Sequence, residues 1–398
     1  MDTKDVKSFE FESVVEVENI EEKPFKRKIV WLSVLKYALL HVFGVYGLLL
    51  SVTTCKLATL PFTFILIYIS GLGVTAGAHR LWSHRSYKAK WPLRLLLALF
   101  NTIAFDKNIY EWCIDHRVHH KYSETPADPH TIKEGFFFSQ IGWRMLSQRP
   151  EFIEKKNKHD FSDLWNDPIV KYQKILWYPL VLIFSFLLPT AIPFLIWRED
   201  VFTAFFICAC LRWLFTSHVK WTVNSVAHRW GPKPYDKTNG NACENKLVIW
   251  SAFGEGFHNY HHAFPWDYKT SEFDWKYNMN LTAAFIDFFA FFGQAYDLRT
   301  ASSEVIEARR LRTGEPLDPN CAPRKRNFCE WIIVVILFLL PLGFWFLSHF
   351  AINEALNAIF GFYVKCNIHD FVLSYFTSLA STYIHPNLAI FQWKFTCK

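Results

Sequence analysis

What most limits the fold of this chain is that its apolar residues are bunched into runs long enough to cross a bilayer. Residues 29–50, 57–78, 175–197 and 201–223 each supply roughly the 20 mainly apolar positions that a transmembrane helix needs. Composition alone does not decide this, because 51% hydrophobic residues is close to the ordinary soluble value of about 45–50%. Placement decides it: bunched runs make lipid the solvent. The expected fold class is therefore all-α integral membrane, with four transmembrane helices under a cytosolic helical cap.

Two polar stretches, 79–174 and 224–314, are separated by the third and fourth runs. An even number of crossings puts them on one side, where they can build a single cap. Residues 1–28 alternate acidic and basic side chains without an apolar core, so they read as a polar cytosolic tail and not as a signal or transit peptide. Lys23, Lys26, Arg27 and Lys28 precede the first run, while the short links between runs one and two and between three and four are nearly free of Lys and Arg. The positive-inside rule then places the N-terminus and the cap in the cytosol. Pro92 to Phe105 is apolar but too short to span, and suits a helix at the interface or under the cap. Residues 315–398 form an atypical C-terminal tail whose apolar run 331–352 is long enough for a fifth crossing; the other reading is sequence outside the working enzyme. Nine cysteines stand singly without CxxC spacing, so no disulfide framework or zinc ribbon is implied. The net charge of +7 is modest, and no nucleic-acid partner is expected.

The chemistry lies in the histidines. Of 16 in the chain, His79 and His84, then His116, His119 and His120, then His228, then His258, His261 and His262 form clusters within the two polar stretches. On a helix, positions i, i+3 and i+4 share a face, so each HxxHH unit aims three imidazoles at one region. Imidazole suits iron, zinc, copper or nickel, and this many convergent rings fill the shells of two metals; a single structural zinc needs only four ligands. His41, His130, His159, His218, His349, His369 and His385 read as surface or satisfied core residues. Glu255 and His258 make an ExxH, the mark of carboxylate-bridged di-iron bundles, but no second ExxH accompanies it. Glu255 is therefore expected to grip a ligand imidazole by its other N–H, and Asp115 is given the same supporting role. A pair of redox metals in a membrane protein points to activation of dioxygen and removal of hydrogen from an unactivated methylene, which no side chain can do alone. The residues themselves leave room for a desaturase, a membrane hydroxylase or alkane monooxygenase, a metal transporter or an inactive scaffold. A transporter needs ionisable residues at mid-membrane, and the first three runs carry almost none.

GVTAGAHRLWSHRSYKA (Gly73 to Ala89), DHRVHHKYSETPADPH (Asp115 to His130), NSVAHRWGPKPYD (Asn224 to Asp236) and GEGFHNYHHAFPWDY (Gly254 to Tyr268) closely resemble the animal stearoyl-CoA (delta-9 acyl-CoA) desaturase family, over about residues 30–314. The resemblance implies a four-span, mushroom-like helical fold in the endoplasmic reticulum membrane. It implies O2-dependent delta-9 desaturation of a saturated fatty acyl-CoA, stearoyl or palmitoyl, at two ferrous ions. The nine clustered histidines fall on the family's metal ligands, and Asn224 on the asparagine that reaches one metal through water. The electron donor would be cytochrome b5 with its reductase, as a separate protein, since the chain has no HPGG haem motif. A related di-iron hydroxylase and a catalytically impaired paralogue are the alternatives.

Departures from the family's pattern concern the substrate. Ile114 stands where an arginine usually touches the CoA head group, and Ser147 and Gln148 replace an Arg-Lys pair. Lys107, Arg144 and Arg149 are close enough in sequence to restore that charge. Ile67 and Gly71 fall on the positions that close the family's acyl tunnel; glycine there leaves more room, so stearoyl should fit at least as well as palmitoyl, and Gly71→Ile should shift products toward palmitoleate. At the tunnel bend, beside Trp112 and Trp221, Asp106 and Lys220 take the places of a glutamine and a threonine. They are expected either to form an ion pair across the bend or to turn outward to solvent.

Overall fold

The computed structural model describes residues 25–238, 240–316 and 351. Four helices are long and apolar enough to cross a membrane: α1 (Trp31–Thr53), α2 (Thr59–Ser83), α5 (Trp177–Trp197) and α6 (Val201–His228). The cap and its borders are built from α3 (Trp91–Ala104), α4 (Ile109–Lys121), α7 (His258–Ala263) and α8 (Leu281–Phe291), with shorter helices between them. This is a multi-pass membrane protein. The tail 315–398 with its candidate fifth crossing lies, apart from its first residues, outside the described residues.

The four spans are not equivalent. The most apolar stretches of α2 and α6 are 61% and 67% buried, against 22% for α1 and for α5. The first pair is therefore the inner scaffold, and the second faces lipid. Leu50, Leu60, Leu66, Ile103, Phe206, Ile207 and Leu211 form the core between α1, α2, α3 and α6. α6 also carries the buried Arg212, whose guanidinium donates to the carbonyls of Ile103 (2.6 Å), Ser185 (3.0 Å) and Cys208 (2.9 Å). A charge within a span is tolerable when its donors all meet protein oxygens, so Arg212 ties α3, α5 and α6 together.

Two boundaries differ from the sequence reading. The apolar runs end near 78 and 223, but α2 continues to Ser83 and α6 to His228, so His79 and His228 ride on the ends of span helices. The reason is burial in protein: every residue from Gly73 to Ser83 is buried, and polar side chains can extend a span when lipid does not see them. Gly73 permits the close approach that achieves this, since a Cβ there would lie 2.1 Å from the backbone nitrogen of Asn101 in α3. α3 itself is two-faced, with Leu93 and Leu97 buried and Trp91 and Leu95 exposed. Pro92 sits in its first turn, where a missing N–H costs nothing. Beyond α2 a short antiparallel pair, β1 (Lys88–Ala89) and β2 (Ala295–Tyr296), ties the exit of the second span to the end of the cap.

Candidate metal centre

His79 and His84 are five apart, a spacing that an α-helix would turn about 140° away from each other at 3.6 residues per turn. The last eleven residues of α2, Gly73–Ser83, are instead wound as a π-helix, whose hydrogen bonds run between residues five apart. The amide of His84 donates to the carbonyl of His79 at 3.1 Å, and the two rings lie 4.9 Å apart. The HxxxxH pair converges because of that wider winding.

The nine clustered histidines assemble into two adjacent groups. His79, His84, His116, His120 and His261 form one, and His119, His228, His258 and His262 the other, each with its ligand atoms within 4.8 Å of one another. α4 and α7 serve both. On α4, His116 and His120 face the first group while His119 turns to His228, ring to ring at 5.0 Å. On α7, His261 Nε2 lies 2.9 Å from His79 Nε2 and 3.0 Å from His120 Nε2, while His258 Nε2 lies 2.9 Å from His228 Nε2. A neutral imidazole carries one N–H, so so many facing Nε2 atoms cannot all be hydrogen-bonded to one another. With imidazole–metal bonds of about 2.0–2.1 Å, ligands on neighbouring octahedral corners sit about 3.0 Å apart, which is the spacing seen. The donor set therefore fits two metal ions.

Carboxylates hold two rings from behind and approach a third. His79 Nδ1 is 2.6 Å from Glu255 Oε2, whose other oxygen accepts from Arg80 at 2.6 Å. His119 Nδ1 is 2.9 Å from Asp128 Oδ1. His228 Nδ1 lies 3.2 Å from Glu124 Oε1, close but without hydrogen-bond alignment. A bonded partner of this kind fixes the tautomer and would leave the Nε2 lone pair free for a metal. Burial pushes the Glu255 carboxyl up, but Arg80 and His79 outweigh it and hold it at about 2. Burial first, then the proximity of like rings, lowers His84, His116, His120, His258, His261 and His262 well below the ordinary imidazole value. His119 goes the other way: burial lowers it, and Asp128 more than compensates. Asp128→Asn and Glu255→Gln should each lower metal affinity about 10–100-fold, read as metal retained after dialysis against a chelator. Unchanged retention in both would show that these carboxylates do not support ligands.

Asp115 does something other than expected: its carboxylate is paired with the ammonium of Lys107 and holds no histidine among the described residues. Asp128, which does, and Glu124, which lies beside His228, sit in the SETPAD stretch after the second cluster, where a carboxylate in a turn carries no periodic signal. His130, read as unremarkable, is buried, with its ring 4.3 Å from that of His119, and it lines the cavity described next.

One cavity runs from Ile67 and Gly71 in α2 past Asp106, Trp112, Lys220 and Trp221 to Asn224, His79, His116, His119 and His258. All the residues expected along the tunnel thus share a single space that reaches the histidines. Lys107 and Arg144 line it as well, but Arg149 does not. Each of the three basic residues expected at a carrier head group is met by a carboxylate: Lys107 by Asp115, Arg144 by Asp106, and Arg149 by Glu151 at 3.3 Å and Glu134 at 3.9 Å. Arg144, also 2.7 Å from the Tyr37 hydroxyl, is buried at the bend and not displayed at the surface. Ser147 is engaged by the N-terminal segment, accepting from the Lys28 amide at 2.9 Å and from Arg27 at 2.8 Å. At the bend, Lys220 Nζ lies 3.6 Å from Asp106 Oδ2 and has no hydrogen-bond partner among the described residues, because Arg144 holds the carboxylate more closely.

Fold and site together define a helical membrane protein with two adjacent histidine clusters, each able to hold a metal ion, at a mainly apolar cavity. Residues 56–297 match the family model described as fatty acid desaturase. Among curated proteins, an acyl-CoA Delta-9 desaturase of Acheta domesticus is 51% identical over 293 residues, covering 74% of this chain and 81% of that one. An acyl-CoA Delta12-desaturase of the same organism is 48% identical, covering 74% and 82%. An (11Z)-hexadec-11-enoyl-CoA conjugase of Bombyx mori is 47% identical, covering 74% and 88%. The chain belongs to the fatty acid desaturase family, among the acyl-CoA desaturases, and is an oxidoreductase.

Proposed function

We propose that this protein is a delta-9 desaturase of saturated fatty acyl-CoA, stearoyl or palmitoyl, in the endoplasmic reticulum membrane. In this reading the nine histidines bind two iron ions, Asn224 reaches one of them through water, and residues 29–314 are the catalytic unit. The N-terminus and cap face the cytosol, where a separate cytochrome b5 with its reductase delivers electrons. The tail 315–398 is an appendage without an assigned role. The observation that carries the proposal is the single cavity joining Ile67 and Gly71 in the membrane to the facing histidine nitrogens.

Iron bound there supplies the oxidising power for taking hydrogen from an unactivated methylene. The net reaction balances when two electrons from the donor and two from the acyl chain, with four protons, reduce one O2 to two waters. The chain's own residues set the geometry. The cavity wall of Val74, Thr75, Val219 and Val223 excludes water and fixes an acyl chain beside the centre, and orientation of this kind makes the attack effectively unimolecular. Glu255, pinned by Arg80, keeps the His79 ring from turning. Delta-9 placement draws on the four sequence boxes and on the 51% identity with the Acheta domesticus delta-9 enzyme; relatives with other printed regiochemistry are nearly as similar, so the product decides. Expression in a desaturase-deficient cell should yield delta-9 monoenes on fatty-acid analysis with double-bond location. A double bond elsewhere refutes the regiochemistry, and a hydroxylated product refutes the reaction type.

A further inference from the structure

Glycine at position 71 does not leave room for the substrate, because another side chain fills that room. A Cβ built on Gly71 would lie 2.0 Å from Phe253 Cε2 and 2.7 Å from its Cδ2. The ring of Phe253 occupies the seat that a side chain at 71 would need. Phe253 is itself 7% exposed, stands edge-on to Tyr68 with ring centroids 5.4 Å apart, and lines the cavity opposite Ile67. Its direction is set by the backbone. Phe253 has φ 59°, in the left-handed region that a bulky residue adopts only when its surroundings hold it there. Thr282 does the holding, with its amide (3.3 Å) and hydroxyl (3.2 Å) both donating to the Phe253 carbonyl. Two residues further on, Glu255 grips His79. The same short turn thus presents a wall to the cavity and a support to the metal centre, which fixes the distance between them.

We infer that Phe253 is the specificity-determining residue for acyl-chain length, and that Gly71 acts by seating its ring; this rests on the reading of the cavity as the acyl tunnel. A ring tucked into the notch leaves the cavity open, and a ring expelled from it shortens the cavity. The two positions are therefore coupled, which a simple packing role for Phe253 does not require.

The test is a competition assay with purified protein and an equimolar mixture of saturated acyl-CoAs from 14 to 20 carbons, read as the ratio of products. Since one methylene in an apolar pocket changes selection about 10-fold or more, Phe253→Val should raise the ratio of long to short products at least about tenfold. Gly71→Ala should move it as far the other way, by pushing the ring into the cavity. Combining the two should leave the ratio near that of Phe253→Val alone, because the new methyl then sits in the vacated seat with no ring to push into the cavity. If Gly71→Ala does not fold, Phe253→Val and the double variant still decide. A Phe253→Val enzyme that turns over with an unchanged ratio, or a double variant that merely adds the single effects, overturns the inference and leaves the proposed function standing. A wild-type protein that desaturates none of the mixture overturns both.

Discussion

Replacing His120 by alanine should abolish turnover and leave a folded membrane protein with fewer than two metal equivalents per chain. His120 belongs to the first histidine group, but its ring also stacks on His262 of the second at 4.2 Å and 17°. Its loss opens one coordination shell and removes packing from the other. The effect should exceed the about 10–100-fold lost when only an outer partner of a ligand is removed. The folded protein should survive because hydrophobic burial in the spans and core, not the centre, supplies most of its stability. His159→Ala is the matched control: its Nδ1 meets the Lys155 carbonyl at 2.7 Å, and its ring packs on Phe161 and Tyr122, so activity should not change. His385→Ala, the other expected control, concerns a residue outside those described. Metal analysis of wild-type and variant protein, alongside product formation, checks the prediction. One equivalent or none in fully active wild-type protein would sink the two-metal reading.

The sequence made some of this legible and hid the rest for identifiable reasons. Long apolar runs announce span helices, because lipid enforces helix over their whole length. They do not announce where a span ends when protein takes over from lipid, which is why His79 and His228 were read as cap residues. HxxHH spacing announced the clustering of these histidines, since i, i+3 and i+4 share a helix face. It could not divide them, because His116 and His119 point to different groups although one helical turn joins them. Nor could spacing disclose the π-winding that brings His84 over His79. Glu124 and Asp128 escape notice because turn carboxylates have no period, and the role of Asp115 is hidden because spacing does not show that Lys107 takes up its carboxylate. Phe253 was invisible for a further reason: a glycine on one element reports room, but not which distant side chain takes it.

Changing Asp106 to alanine should destabilise the protein more than any single change to its two cationic neighbours. Its carboxylate joins three elements: it ends the segment after α3, pairs with Arg144 from the 142–144 turn, and lies 3.6 Å from Lys220 on α6. The side chains of Asp106, Arg144 and Lys220 are only 7%, 6% and 12% exposed, so solvent does little to screen them. Burial pushes the Asp106 carboxyl up, but Arg144, Lys220 and Lys107 outweigh it and hold it at about 2, below its ordinary value of 3.8. A depressed carboxylate contributes stability that is complete above the ordinary value and lost as pH falls through the depressed one, so at neutral pH the contribution is fully present. Removing the anion strands two cations, and breaking even one buried pair costs about 3–5 kcal/mol. Lys220→Thr should be mild, because Arg144 keeps Asp106. The paired change Asp106→Gln with Lys220→Thr should be intermediate and not neutral: it removes one stranded cation and leaves Arg144 with a glutamine carbonyl as a weaker acceptor. The order of thermal midpoints in detergent should therefore be wild type, then Lys220→Thr, then the paired change, then Asp106→Ala. Product analysis of the same variants should show regiochemistry loosening in that order, since all three side chains line the cavity. Equal midpoints for Asp106→Ala and Lys220→Thr would mean that Arg144 does not depend on Asp106, and the network would then have no part in fixing this wall of the cavity.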